Sequence, residues 1–288
     1  MSKHSIKIIA CTIFALLAFA GNSVLCRFAL GENTIDAASF TVIRLLSGII
    51  ILMFAATLTR KNNETRSKGS WLAASMLFIY AVAFSYGYIT LDTGTGALIL
   101  FGAVQITMIV VSVISGKRLH YSEWLGLCIA FSGFVYLLIP SLKTPSLLGF
   151  VLMTASGVAW GIYTLAGRSS KQPLNDTAYN FLRTSPFLLV LIIFTFKDSN
   201  MTSEGILLAV LSGSIASGVG YAVWYIALGG LSVTQAAVVQ LFVPIIAAAG
   251  GVVFTNELIT LRLVESSALV LGGILIVILG KNYFVSRA

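Results

Sequence analysis

Phe84-Ser-Tyr-Gly-Tyr-Ile-Thr-Leu91 returns in the second half of the chain as Tyr221-Ala-Val-Trp-Tyr-Ile-Ala-Leu228, with Tyr, Ile and Leu in register. Other residues recur in the same order. Arg44 follows Asp36 as Arg183 follows Asp176. Gln105 and Pro244 each stand thirteen residues before Arg118 and Glu257, and each of those is followed by Leu. Gly133 and Gly272 then fall at the same depth of the later apolar runs. Chance explains any one of these matches more readily than it explains their shared order. The chain reads as two copies of one unit, divided near residue 141 into 1–141 and 142–288.

Around these landmarks the sequence is apolar almost throughout. Of 288 residues, 58% are hydrophobic and 10% charged, against about 45–50% and about 25% in a soluble domain. The mean hydropathy is +0.97. That excludes a soluble enzyme, a disordered chain and a secreted disulfide scaffold, because too little polar material remains to cover a wetted surface. A helix needs roughly 20 apolar residues to cross a hydrocarbon core of about 30 Å. Runs of that length are predicted near 6–26, 38–58, 71–91, 95–115, 123–140, 146–166, 178–196, 205–228, 232–254 and 262–281. β-Barrel spans are excluded, since the runs are twice a strand's length and lack period-2 alternation. The first run, preceded by Lys3 and Lys7 and reaching Ala18-Phe19-Ala20, resembles a cleavable leader. It continues apolar to Leu25 with nine further spans behind it, and is read as a span.

The expected fold class is an all-α membrane protein with ten transmembrane helices. Five spans is an odd number, so a second copy of the unit enters the bilayer upside down, giving two inverted-topology five-helix repeats. Such repeats mark transporters with a midplane site and alternating access. The basic residues set the orientation. Lys3, Lys7, Arg60, Lys61, Arg66, Lys68, Lys117, Arg118, Arg168, Lys171, Lys281 and Arg287 fall on one side; Arg27, Lys143, Lys197 and Arg262 fall on the other. Both termini are therefore expected in the cytoplasm, with the chain multi-pass in the inner (plasma) membrane.

The net charge of +8 comes from these loops and forms no aromatic-interleaved patch, so nucleic acid is not an expected partner. Cys11, Cys26 and Cys128 have no CxxC spacing, and His4 and His120 lie in polar flanks. No metal site and no cofactor is expected. The chain has no GxxxxGK[ST], GxSxG or HExxH motif and no paired intramembrane carboxylates, so an enzyme is not expected.

Phe19-Ala-Gly-Asn-Ser23 with Arg27, Ala159-Trp-Gly-Ile-Tyr163, Arg44 and Arg183, and Pro244 followed by Asn256-Glu-Leu258 carry a resemblance. In their order and spacing, with a Gly-containing tenth span, they resemble the drug/metabolite transporter superfamily, specifically its EamA-type domains, over nearly the whole chain. Two departures stand out. Gln105 and Arg118 occupy positions where the family pattern has Pro and Glu, and Glu265 stands where the first half has Gly126. The resemblance implies export of amino acids or other small metabolites across a bacterial inner membrane. Efflux of toxic compounds and import of a metabolite stay open, as does a non-transporting sensor or assembly subunit.

Arg44 and Arg183 are the costliest residues to place inside spans. Either they bind a substrate carboxylate around a cavity, or they serve as structural clamps or snorkelled anchors. Asn22, Tyr86, Gln105, Trp160, Tyr163, Tyr221, Trp224 and Gln240 are candidates to line the path, because buried amides and indoles in lipid seek protein or a watery cavity. Ser23 and Tyr225 join them; Tyr221, Trp224 and Tyr225 share one helix face. The competing role is interfacial belt or helix packing. Glu265 is the carboxylate most clearly inside a span, and either couples transport to protons or pairs with Arg262 near the interface. Gly157-Val-Ala-Trp-Gly161 is a close-packing motif, and Pro244 is expected to kink the ninth span. The expected partners are a small-molecule substrate and the lipid bilayer, with a monomer compatible with the sequence.

Overall fold

The computed structural model describes residues 3–59, 67–116, 120–138, 145–167, 170–195, 197, 199–231 and 233–285. Arg60, Lys61, Arg66, Lys117, Arg118, Lys143, Arg168 and Arg287, used above for orientation, lie outside them. Helices account for almost all of the described chain, and their order follows the ten predicted runs. The first six spans are α1 (Lys3–Gly31), α2 (Ala37–Leu58), α3 (Trp71–Tyr88), α4 (Thr93–Ile114), α5 (Tyr121–Leu138) and α6 (Leu147–Gly167). Polar residues start several of them. Asp36 accepts the Ser39 N–H at 2.9 Å and Ser70 accepts the Ala73 N–H at 3.0 Å, each satisfying a backbone donor that an open helix end leaves unpaired.

The next three spans are interrupted, which the apolar runs alone did not indicate. The seventh is α7 (Pro173–Leu182) and α8 (Ser185–Thr195), broken at Arg183-Thr184. It begins five residues earlier than expected from the run 178–196, with Pro173 in the first helical turn. Pro186 lacks an N–H and its ring crowds the carbonyl four residues back, at Leu182. The eighth is α9 (Ser203–Leu211), a π-helical segment (Ser212–Val219) and α10 (Gly220–Leu228). The ninth is α11 (Val233–Gln240) and α12 (Phe242–Thr255), parted at Leu241. Pro244 crowds the Gln240 carbonyl in the same way, so the predicted kink is placed three residues before the proline. The tenth span is α13 (Leu261–Val285). Among the described residues, nine helical stretches are apolar and long enough to cross a bilayer, and α13, at 25 residues, adds a tenth of sufficient length. Large apolar side chains such as Ile50, Phe54, Ile193 and Phe194 cover the outside of the bundle. This is an all-α membrane protein.

The helices pair in a pattern that returns when each span is exchanged for the one five places on. α3 packs on α6, and α1 packs on the π segment and α10; α4 packs on α6, and α1 on α12. Three pairings map onto themselves: α2 with α7, α4 with α12 and α5 with α13. Small residues permit the closest approaches. A Cβ at Gly126 would come within 2.5 Å of the Gly273 carbonyl, and one at Gly157 within 2.4 Å of the Leu100 carbonyl. Gly157 and Gly161 therefore seat α6 on α4 inside one chain. Gly272, the expected counterpart of Gly133, meets nothing within 4 Å; its neighbour Gly273 makes the contact.

Candidate functional site

The middle of the bundle is built from α1, α2, α3, α6 and the eighth span. Arg44 of α2 is 1% exposed. Its Nε donates to Ser217 at 3.0 Å, and its Nη2 donates to the hydroxyls of Tyr80 at 3.0 Å and Tyr221 at 2.9 Å. The guanidinium also lies 5.1 Å from the Tyr80 ring centroid and 4.8 Å from that of Phe84, close enough for cation–π attraction. Its Nη1 has no acceptor among the described residues. The π segment brings Ser217 to Arg44 and Ser212 to Asn22, whose Oδ1 accepts the Ser212 hydroxyl at 2.6 Å. Wide π turns recur at functional sites because they re-aim side chains that a regular helix would carry past. Asn22 in turn donates to Tyr80 at 3.2 Å.

Aromatic rings close around this polar core. Trp160 lies 4.5 Å from Tyr221, 5.0 Å from Tyr80 and 5.2 Å from Tyr163, centroid to centroid. Phe19 sits edge-on to Trp160 at 5.6 Å and to Trp224 at 5.7 Å. Between Phe19, Ser23, Tyr80, Phe84, Leu100, Phe101 and Trp160 remains a small cavity of about 10 Å³. The rings of Phe19, Tyr80, Trp160, Tyr221 and Trp224 are all buried.

The structure thus gathers Asn22, Arg44, Trp160, Tyr163, Tyr221 and Trp224. It separates the remaining candidates. Tyr86 is half-buried on α3, packed against the core but away from the central cavity lining. Gln105 and Gln240 are buried, but neither lines the central cavity; the Gln240 amide donates to Ala236 of its own helix at 3.1 Å. Arg183 is not the equivalent of Arg44. It ends α7, half-buried, with its guanidinium 5.3 Å from the Trp71 ring centroid. Glu265 is exposed on α13 and accepts the Tyr136 hydroxyl, while Arg262 lies 5.6 Å from the same ring. Tyr80, the hub of the network, was not among the sequence candidates. The spacing of Tyr80, Phe84 and Tyr88, which places all three on one helix face, is the signal that points to it.

Each face of the bundle is tethered. On one, Arg27 Nε donates to Glu257 at 3.2 Å, and its Nη1 donates to the carbonyls of Tyr88 and Ile89, both at 3.2 Å. Glu257 caps α4, accepting the Thr93 N–H at 3.0 and 2.8 Å and the Thr93 hydroxyl at 3.0 Å. A carboxylate at a helix N-terminus is favoured by both the free N–H groups and the helix dipole. Asp92 stands 3.8 Å from Arg27. Nearby, the Asp36 N–H donates to the Asn200 carbonyl at 2.9 Å, and the Asp36 carboxylate accepts the Asn200 N–H at 2.9 Å. On the other face, Asp176 near the start of α7 accepts the Ser67 hydroxyl and the Gly69 N–H, and Asn180 accepts the Ser70 N–H at 2.9 Å. The acid that opens the second span therefore holds the loop before the eighth, and the acid near the start of the seventh holds the loop before the third.

Residues 147–279 match the sequence pattern of the EamA-like transporter family. An uncharacterized protein of Pseudomonas aeruginosa is 46% identical over 93% of both chains. An uncharacterized transporter of Archaeoglobus fulgidus is 30% identical, over 69% of this chain and 73% of that one. A protein of Escherichia coli named as a probable amino-acid metabolite efflux pump is 22% identical, over 73% and 74%. One crystal structure superposes with a TM-score of 0.63 at 16% identity, covering 91% of this chain and 97% of that one, a likeness of fold alone.

Proposed function

The chain belongs to the EamA-like transporter family and is a membrane transporter; from that premise we propose that it exports small metabolites of the amino-acid class across the inner membrane by alternating access. The observation that carries this reading is Arg44, a buried cation at the seam between the second, third and eighth spans, bonded to no carboxylate among the described residues and surrounded by phenols and rings. Ionisable groups deep inside a membrane bundle are expensive and mark a substrate path.

In this reading the halves 1–141 and 142–288 are inverted copies, and the helix pairings that survive a five-span exchange support it. Both termini face the cytoplasm, so the face closed by Arg27, Glu257 and Thr93 is the outer one. The closed centre, sealed by tethers at both ends, is then an occluded intermediate between two open forms. Substrate binding exchanges these forms to the extent that it favours neither strongly. Of the candidates for the path, Asn22, Arg44, Trp160, Tyr163, Tyr221 and Trp224 form the site. Arg183 anchors α7 against α3, and Glu265 stands apart on α13.

The test is counterflow in proteoliposomes with a panel of labelled amino acids, related acids and sugars. Uptake of label against an unlabelled internal pool, saturable and lost in Arg44→Gln, supports the reading. An absence of counterflow with every member of the panel, in protein that remains monodisperse and folded, defeats it.

A further inference from the structure

We propose that the cleft beside the N-terminus of α4 is a second binding site, separate from the aromatic core, and that it takes a small primary alkylammonium. The inference rests on the transport reading only for calling this face of the bundle the outer one.

Two cavities adjoin where the start of α4 meets Pro145 and the link between α12 and α13. The wide one has a volume of about 360 Å³. The narrow one, about 30 Å³, reaches between the helices to Ala248 and Leu263. Asp92, Thr95, Leu258 and Thr260 line both. The wide part falls within the roughly 300–1,000 Å³ of small-molecule pockets, and the narrow part has room for a group the size of water.

Two side chains on the shared wall are left without a hydrogen bond. Asp92 is the N-cap of α4, where a carboxylate ordinarily accepts the N–H of the second or third helical residue. It makes no such bond; Glu257 caps the helix instead, from the end of α12. Asp92 keeps a loose 3.8 Å contact with Arg27. Thr95 is 9% exposed, and its hydroxyl has no hydrogen-bond partner among the described residues. Helical threonines can return this hydroxyl to the carbonyl four residues back, as Thr107 does to Ala103 at 2.7 Å. Thr95 does not, and lines the cleft. Thr260 stands with them: its oxygen accepts the Leu263 N–H at 3.1 Å, which fixes it in place with a lone pair to spare.

A carboxylate and two hydroxyl oxygens around one space call for a donor-rich cation. An ammonium brings three donors, a positive charge and no acceptor. A metal ion fits worse, since Mg²⁺ and Ca²⁺ need about six or more oxygen ligands and no three of His, Cys, Asp and Glu gather among the described residues. An anion would seek the first N–H groups of α4, but the Glu257 carboxylate already sits on the Thr93 N–H and hydroxyl. The nearby cations are engaged elsewhere. Arg27 bonds to Glu257 and to two carbonyls, and Arg262 lies 5.6 Å from the Tyr136 ring centroid. Leu91, Pro145 and Leu258 give the wide part its apolar wall. The ammonium therefore suits the narrow part and a short alkyl chain the wide one.

The experiment follows protection of a cysteine at Leu258, which is 75% exposed at the mouth, in the full chain purified in detergent with its native cysteines replaced by serine. A neutral methanethiosulfonate reagent labels it at constant ionic strength in the presence of butylammonium, butyrate or 1-butanol, three probes with one butyl body. Butylammonium is expected to slow labelling saturably, at concentrations about three- to tenfold lower than 1-butanol requires, the range of one partly exposed charge-assisted contact. Butyrate should protect least. Asp92→Asn is expected to erase the preference for the ammonium, Thr95→Val to weaken it, and Glu265→Gln, on the flank of α13, to leave it in place. Equal protection by the three probes overturns the inference, as does stronger protection by butyrate, a preference that survives Asp92→Asn, or no protection by any probe. Should Thr95→Val fail to fold, the order of the probes and Asp92→Asn decide the matter. Vesicle counterflow separates the two readings. Selective protection without counterflow defeats transport and leaves this site standing; counterflow without protection does the reverse.

Discussion

At Arg27 one guanidinium holds the end of α3 through two carbonyls and the end of α12 through Glu257, which itself caps α4. Both side chains are largely shielded, with exposures of 22% and 12%, so these are charge-assisted bonds with reduced solvent screening. Hydrogen bonds to charged groups contribute about 1.5–3 kcal/mol each. Glu257→Gln is therefore expected to loosen this face and raise the labelling rate of a cysteine placed at Thr95, in a background without native cysteines, by about tenfold or more. The Asp92 partner is a contrasting control. It stands 3.8 Å away and is 59% exposed, where ion pairs contribute about 0–1 kcal/mol. Asp92→Asn should leave the labelling rate close to that of the parent. Equal effects of the two substitutions would refute a tether centred on Glu257. Glu265 is exposed and bonded to Tyr136 on the flank of the bundle, so Glu265→Gln should leave flux and its pH dependence unchanged. A shift in the pH profile would assign proton coupling to this carboxylate.

At the scale of elements, glycine decides which helices touch. α5 and α13 meet where a Cβ on Gly273 would lie 2.5 Å from the Ala130 nitrogen and 2.6 Å from the Gly126 carbonyl, whereas Gly272 beside it faces open space. Backbone cannot yield as a side-chain tip can, and overpacking of this kind costs typically 1–3 kcal/mol. Gly273→Ala should therefore lower the unfolding temperature in detergent by several degrees, while Gly272→Ala should not. The π segment has its own close approach, since a Cβ at Gly213 would come within 2.0 Å of the Arg44 carbonyl. Gly213→Ala should push the eighth span off α2 and take Ser217 away from Arg44, lowering the unfolding temperature in detergent. The Ser212-Gly-Ser-Ile-Ala-Ser-Gly-Val219 sequence contains nothing but small residues and two aliphatics. Its composition allows a widened turn without requiring one; packing against α2 selects it.

Over the whole molecule, the two acids Asp36 and Asp176 hold opposite faces through corresponding loops. If the halves exchange roles during transport, loosening one face favours the form open to that side. Asp36→Asn and Asp176→Asn are then expected to move accessibility of the core in opposite directions, measured by labelling from the two sides of oriented vesicles. Movement in the same direction would refute that symmetry. The apolar spans, and the cost of placing Arg44 and Arg183 inside them, were legible in the sequence, because the length of an apolar run and the cost of a charge within it are properties of neighbouring residues. Arg183, equivalent to Arg44 by register, was set apart only by packing: one ends at the seam of the bundle and the other on Trp71. Gln105 and Gln240 looked like the deep polar residues of the path, yet bulky rings from α1, α3, α6 and α10 fill the centre instead. Tyr80 and Glu257 matter because they meet residues 36 and 164 positions away. The sequence by itself determined that this chain lives in a bilayer as a bundle of apolar helices, for hydrophobicity acts along the chain. Which side chains form the site, and which ends are tied, only the tertiary structure decided, because hydrogen bonds and ring contacts act across space between segments that the sequence keeps far apart.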